Sequence, residues 1–156
     1  MKFPLLPLKQ WVFATWTWLL VAQAAPVTPA QQAWLKGFEG TWVIDNPRGS
    51  EADLTLAITR EGNALVLRSV FGSQQVETRY DVSGADVTNT NFGRKAILRT
   101  RIDGQKLVTD IWDGEAVGPP ARIETRFLES ADRMVTELTA EAGAPPFQRV
   151  ALRRKP

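Results

Sequence analysis

From position 41 to 154 the chain alternates apolar with polar residues, and turn-forming residues cut that alternation at short intervals. Leu54, Leu56 and Ile58 share one parity, with Asp53, Thr55 and Thr59 on the other. Val76, Thr78 and Tyr80 oppose Glu77, Arg79 and Asp81; Leu98, Thr100 and Ile102 oppose Arg99, Arg101 and Asp103; Ile123, Thr125 and Phe127 oppose Arg122, Glu124 and Arg126. Successive side chains of a strand point to opposite faces, so this pattern predicts antiparallel strands covered on one side only. Turn signals include Asn46-Pro47-Arg48-Gly49, Gly62-Asn63, Gly72-Ser73, Ser83-Gly84, Phe92-Gly93, Asp103-Gly104 and Asp113-Gly114. Their spacing, mostly 8–12 residues, is that of an all-β sandwich or barrel.

Ten strands are expected, near 41–45, 51–60, 63–71, 74–82, 85–91, 94–103, 105–112, 120–128, 132–140 and 146–154. Nearly all are joined by hairpin-length connections. An open meander of that length exposes two edges, and closure into an up-and-down barrel of about 8–10 strands removes them. The longest break, residues 115–120, suits a mouth loop. Ahead of the strands, residues 28–36 read as one short helix. Thr28 is its cap, Pro29 takes the first position and Gly37 is placed to end it.

Residues 1–24 have a different character. Lys2 and Lys9 precede an apolar run, Trp11 to Ala22, and Ala22-Gln23-Ala24 supplies small residues for cleavage. A basic start, a short apolar core and an A-x-A site form the pattern of a secretory signal peptide, and the run is short for a spanning helix. The expected organisation is a signal peptide at 1–24, a spacer and short helix at 25–37, and one β-domain at 38–156. After cleavage no integral membrane segment is expected, and the compartment is periplasmic or secreted.

The chain contains no cysteine and no histidine. That excludes disulfides, thiolate nucleophiles, Cys or His metal ligands and every His-based triad. An exported domain without disulfides fits a bacterial periplasm better than a eukaryotic secretory route. Of 19 basic and 17 acidic residues, Lys2 and Lys9 leave with the signal, so 17 face 17. Residues 25–86 are acidic in balance and residues 87–156 basic.

The first strand opens as Gly40-Thr41-Trp42, after a short helix, and the last runs Gln148 to Lys155. This Gly-x-Trp start resembles the lipocalin and calycin signature. The layout is similar to small exported bacterial proteins with lipocalin-like domains. The resemblance implies that Trp42 plugs one end of the barrel and that a basic residue of the last strand, Arg154, lies over its ring. It also implies a small hydrophobic or amphipathic ligand in the barrel. The Arg-x-Tyr pair with which fatty-acid-binding proteins hold a carboxylate is absent from the last strand, so fatty-acid specificity is not implied.

Other constellations weigh less. Asp110, Asp113 and Glu115 are oxygen-rich, as calcium requires, but Asp113-Gly114 is better explained as a turn. Glu124 and Glu137 could pair as acid and base across strands, yet their alternation points both toward water. Arg94, Lys95, Arg99 and Arg101 form the densest basic run, read as a solvated face with cross-strand ion pairs such as Arg99 and Arg101 near Asp110. Export and low net charge argue against nucleic acid. No Gly-rich phosphate loop occurs, and no cofactor or metal is expected. Phe71, Tyr80, Trp112 and Phe127 are the candidate ligand-binding residues, because aromatic lining is what small-molecule pockets use. Binding is thus expected rather than catalysis, with a filled-barrel interaction module as the alternative and a carboxylate-based isomerase or hydrolase behind both.

Overall fold

A computed structural model describes residues 26–48 and 54–156. The proposed signal segment lies outside the described residues. Ten antiparallel strands follow one helix: β1 (Gly40–Ile44), β2 (Thr55–Glu61), β3 (Ala64–Phe71), β4 (Gln74–Asp81), β5 (Asp86–Asn91), β6 (Arg94–Asp103), β7 (Lys106–Asp113), β8 (Arg122–Ser130), β9 (Arg133–Thr139) and β10 (Gln148–Arg154). They form one sheet in the order β4-β3-β2-β1-β10-β9-β8-β7-β6-β5. Each strand pairs with its sequence neighbour except at two places. β1 pairs with β10, with Trp42 opposite Arg154, and β4 and β5 are the sheet's two edges.

Those edges meet without a ladder. The Asn89 side chain accepts from Arg79 N at 2.8 Å and donates to Arg79 O at 3.2 Å, replacing one pair of backbone bonds. The all-β barrel is nearly closed in this way, and side-chain amides of β5 stitch its seam.

Helix α1 (Pro29–Leu35) starts as its sequence dictates. The Thr28 hydroxyl accepts from Gln31 N and the Gln31 side chain accepts from Thr28 N, a reciprocal capping box. The helix does not stop on Gly37 as expected. It tightens into a 3₁₀ turn (Lys36–Phe38) that runs through Gly37. The glycine serves close approach instead: a Cβ there would fall 2.6 Å from Leu128 Cδ1.

This helical segment closes one end of the barrel. Leu35, Phe38 and Trp42 are fully buried, and the Trp34 and Phe38 rings meet edge to face at 5.0 Å. Trp42 Nε1 donates to Phe38 O at 2.9 Å. Arg154 lies 4.4 Å over the Trp42 ring and donates to Glu39 O at 2.6 Å, Gly37 O at 2.8 Å and Ala131 O at 3.0 Å. Gly40 makes room for it. With φ +129° and Arg154 Nη1 2.5 Å from where a Cβ would sit, no other residue fits without strain.

Above this plug the interior is packed by Leu56, Ile58, Leu65, Leu67, Leu98, Leu107, Ile111, Met134 and Leu152. Among the described residues no helix is long and apolar enough to cross a membrane.

Candidate functional site

The up-and-down topology sends every odd-to-even connection to the end opposite α1. That end carries the turns after β3 and β5 and the longer connections after β7 and β9. It is the mouth.

Cross-strand partners share a face, so register fixes what points inward. Leu107 of the core stands opposite Arg126, which stands opposite Thr136. Thr109, buried, stands opposite Glu124, which stands opposite Leu138. Glu124 and Arg126 are therefore inside the barrel. The expectation that Glu124 faces water is corrected here. On β8 the charged parity is the inner one, and Ile123 and Phe127 take the outer face.

Inside, these charges satisfy one another. Arg126 Nη2 lies 2.8 Å from Glu124 Oε1, and the two side chains are only 7% and 13% exposed. Arg126 Nε donates to Thr136 Oγ1 at 3.1 Å, and its guanidinium carbon is 5.0 Å from the Tyr80 ring centroid. Burial pushes the Tyr80 phenol well above its ordinary range. The Glu124 charge adds to the rise and Arg126 opposes it. Burial by itself would lower the Arg126 pKa, but Glu124 and Tyr80 outweigh it and the guanidinium is held above its ordinary value. The cluster is thus a fixed, charge-neutral unit, with Tyr80 a locked neutral phenol at ordinary pH. Beside it, the Thr100 and Thr109 hydroxyls bond each other at 3.0 Å.

Glu124 also lines a pocket. The space, about 210 Å³, is walled by Leu56, Leu138, Val150 and Leu152, with Glu124, Thr136 and Gln148 as its polar groups. Arg126, ion-paired with Glu124, is not part of the wall. A second, polar basin of about 570 Å³ lies at the mouth between β5 and β8, lined by Asn89, Asn91, Arg94, Lys95, Asp113 and Arg122, among others. Arg122 there is held by Asp113 at 3.1 Å. The large exposed apolar residues among those described are Val70, Phe71, Phe92, Val117 and Phe147, and all five sit at the mouth.

The sequence-derived candidates separate accordingly. Tyr80 faces inward and joins the buried cluster. Phe71 is about half exposed at the rim. Trp112 and Phe127 occupy the outer face, Trp112 beneath Arg99 at 5.1 Å and Phe127 beneath Lys106 at 5.4 Å. Trp112 Nε1 donates to Gly118 O at 3.1 Å and so pins the loop between β7 and β8. Glu124 and Glu137 fall on opposite faces, because Glu137 pairs outside with Arg149 at 3.1 Å. Asp110 is paired with Arg101 at 2.7 Å and Asp113 with Arg122; no cluster of acidic side chains among the described residues could hold a metal. Arg99 reaches Asp86 at 2.7 and 3.0 Å, so much of the basic run is ion-paired. Sequence reasoning passed over Arg126 and Thr136 as site residues. The available signal was a charged pair, Glu124 and Arg126, two apart on a strand whose opposite parity is also apolar.

No family model matches the sequence, and no curated protein matches it either. Solved structures do match. Apo Caenorhabditis elegans lipid binding protein 8 (LBP-8) superposes with a TM-score of 0.58 at 10% identity, over 78% of this chain and 97% of that one. The REP1-NXSQ fatty acid transporter gives 0.56 at 14% identity, over 78% and 98%. Human cRBP IV gives 0.54 at 15% identity, over 76% and 98%. At these identities the likeness is one of fold. The chain has a lipocalin-like fold, an up-and-down β-barrel of ten strands.

Proposed function

We propose that this protein is an exported carrier that binds a small apolar or amphipathic molecule in the mouth pocket. One observation carries the proposal: a pocket with aliphatic walls and a few convergent polar groups sits inside a barrel whose fold is shared with a lipid binding protein and a fatty acid transporter. Apolar burial supplies affinity, and the polar end fixes orientation. The pocket is smaller than the roughly 300–1,000 Å³ common for ligand sites, so the cargo is short or enters only in part. Export rests on residues 1–24, and the compartment is then periplasmic or secreted.

A ligand that binds only the folded state raises its melting temperature. Native mass spectrometry of protein purified from its own cells should show an added, solvent-extractable mass, and that ligand should shift Tm. Leu138→Trp, which fills the pocket, should abolish the shift while the barrel still melts cooperatively. A bare mass, with no shift across short amphiphiles, would sink the proposal. Intact mass of the exported form should match a start at Ala25.

A second reading is favoured by the rim. Five exposed apolar side chains gathered at one end make an attachment surface for an interaction module. Co-sedimentation with neutral phospholipid vesicles, lost in Phe71→Ser with Phe92→Ser while ligand uptake is unchanged, would favour attachment over simple carriage.

A further inference from the structure

The charge arithmetic of the buried cluster constrains the head group of the cargo, given the carrier reading proposed above, on which this step rests. A barrel that held a carboxylate would present a cation to it. Here the inward-pointing cations that flank Glu124 on its strand are already engaged: Arg126 lies 2.8 Å from Glu124, donates to Thr136 at 3.1 Å and has the Tyr80 ring over its guanidinium, and Arg122 is paired with Asp113 at 3.1 Å. What reaches the pocket wall is Glu124, an acceptor, with Thr136 next to it. Thr136 Oγ1 accepts from Arg126 and still has its own O–H to donate.

An incoming carboxylate would meet the Glu124 carboxylate and leave the dry cluster with a net negative charge. An ammonium would leave it with a net positive one. Burying unbalanced charge is far more costly than burying a bonded neutral group. A hydroxyl matches both groups, donating to Glu124 and accepting from Thr136, and leaves the cluster neutral. A volume of about 210 Å³ holds about seven water-sized groups at ~30 Å³ each.

We propose that the pocket beside Glu124 selects an uncharged, hydroxyl-headed aliphatic molecule, with the hydroxyl and on the order of six carbons lodged in it, and rejects the corresponding carboxylate. The selection is made by Glu124, with Arg126 holding that carboxylate in place. Removing the Glu124 charge frees Arg126 and reverses the preference.

The test is a matched series, 1-octanol, octylammonium and octanoate, each titrated by calorimetry and by displacement of an environment-sensitive apolar dye. The wild-type protein should bind 1-octanol at least tenfold more tightly than octanoate, with octylammonium weaker than the alcohol. Glu124→Gln should invert the order and make octanoate the tightest of the three. Should that variant fail to fold, the wild-type order decides alone. Octanoate preferred by the wild type, or three equal affinities, with the dye displaced in each case, would overturn the head-group selection and leave the carrier function standing. No uptake of dye or of any of the three would remove the carrier function and this selection together.

Discussion

Tyr80 is the single tyrosine of the chain, so its ionisation can be followed without interference from any other phenol. Raising the pH is the perturbation. In the unfolded chain the phenol ionises near its ordinary value of 10.0, whereas in the barrel burial and the Glu124 charge hold it protonated well above that. The folded pKa is raised, so the folded state keeps a proton that the unfolded state releases. Stability from this site is complete below pH 10 and is lost as pH climbs from there toward the folded value. One proton difference corresponds to about 1.4 kcal/mol per pH unit, hence about 2.7 kcal/mol lost by pH 12. The assay is urea unfolding at pH 8, 10, 11 and 12, read in parallel with the near-ultraviolet phenolate band. The band should stay silent in the folded protein and appear together with cooperative unfolding, and Tyr80→Phe should flatten the alkaline fall by that amount. A phenolate band that rises smoothly around pH 10 while the fold persists would refute the burial argument, and with it the picture of a dry cluster.

Other outcomes follow from the plug, the seam and the surface. Arg154→Met keeps an apolar stem over Trp42 but loses three charge-assisted bonds to carbonyl oxygens, and should cost about 3 kcal/mol by denaturant unfolding; Arg154→Lys should recover less than half of it, because an ammonium cannot reach all three. Asn89→Ala should cost about 2 kcal/mol and speed hydrogen exchange at the Arg79 amide, while amides of the β6–β7 ladder stay protected. Asp86 is held below its ordinary carboxylate value by the Arg99 guanidinium, so its contribution is present above that ordinary value and fades as pH falls through the lowered one. Asp86→Asn should remove that part of the acid dependence of Tm, and high salt should mimic it in the wild type because both side chains are close to half exposed.

The strand layout was legible because hairpins are local. Positive-φ glycines at 62, 72, 93 and 104 stand where the turn residues placed them, and β6 (Arg94–Asp103) has the bounds expected of it. The helix start was legible for the same reason, since Thr28, Pro29 and Gln31 act within one turn. Its end was not, because Gly37 answers to Leu128 and Arg154, residues far along the chain. β3 shows the same limit from another side. Its run Ala64-Leu65-Val66-Leu67 is buried at every position, so outer-face side chains are covered too and burial there loses its period of two.

The site was harder to read for a reason that concerns β8. Parity assigns faces by asking which set of side chains is apolar, and on β8 that question returns the wrong face. Ile123 and Phe127 are apolar and point out, where Ile123 is buried and Phe127 lies under Lys106. Arg122, Glu124 and Arg126 are charged and point in. An interior tolerates that reversal only if the charges cancel within hydrogen-bond distance, since an unpaired one would cost several kcal/mol. Arg126 and Glu124 cancel at 2.8 Å, with Thr136 and Tyr80 completing the shell. A sequence shows each charge but not its partner across the barrel, so a buried pair and a solvated pair read alike. The difference is consequential: a solvated pair would leave an aliphatic barrel indifferent to head groups, whereas this buried one sets an acceptor at the pocket wall and gives the barrel a means of choosing among them.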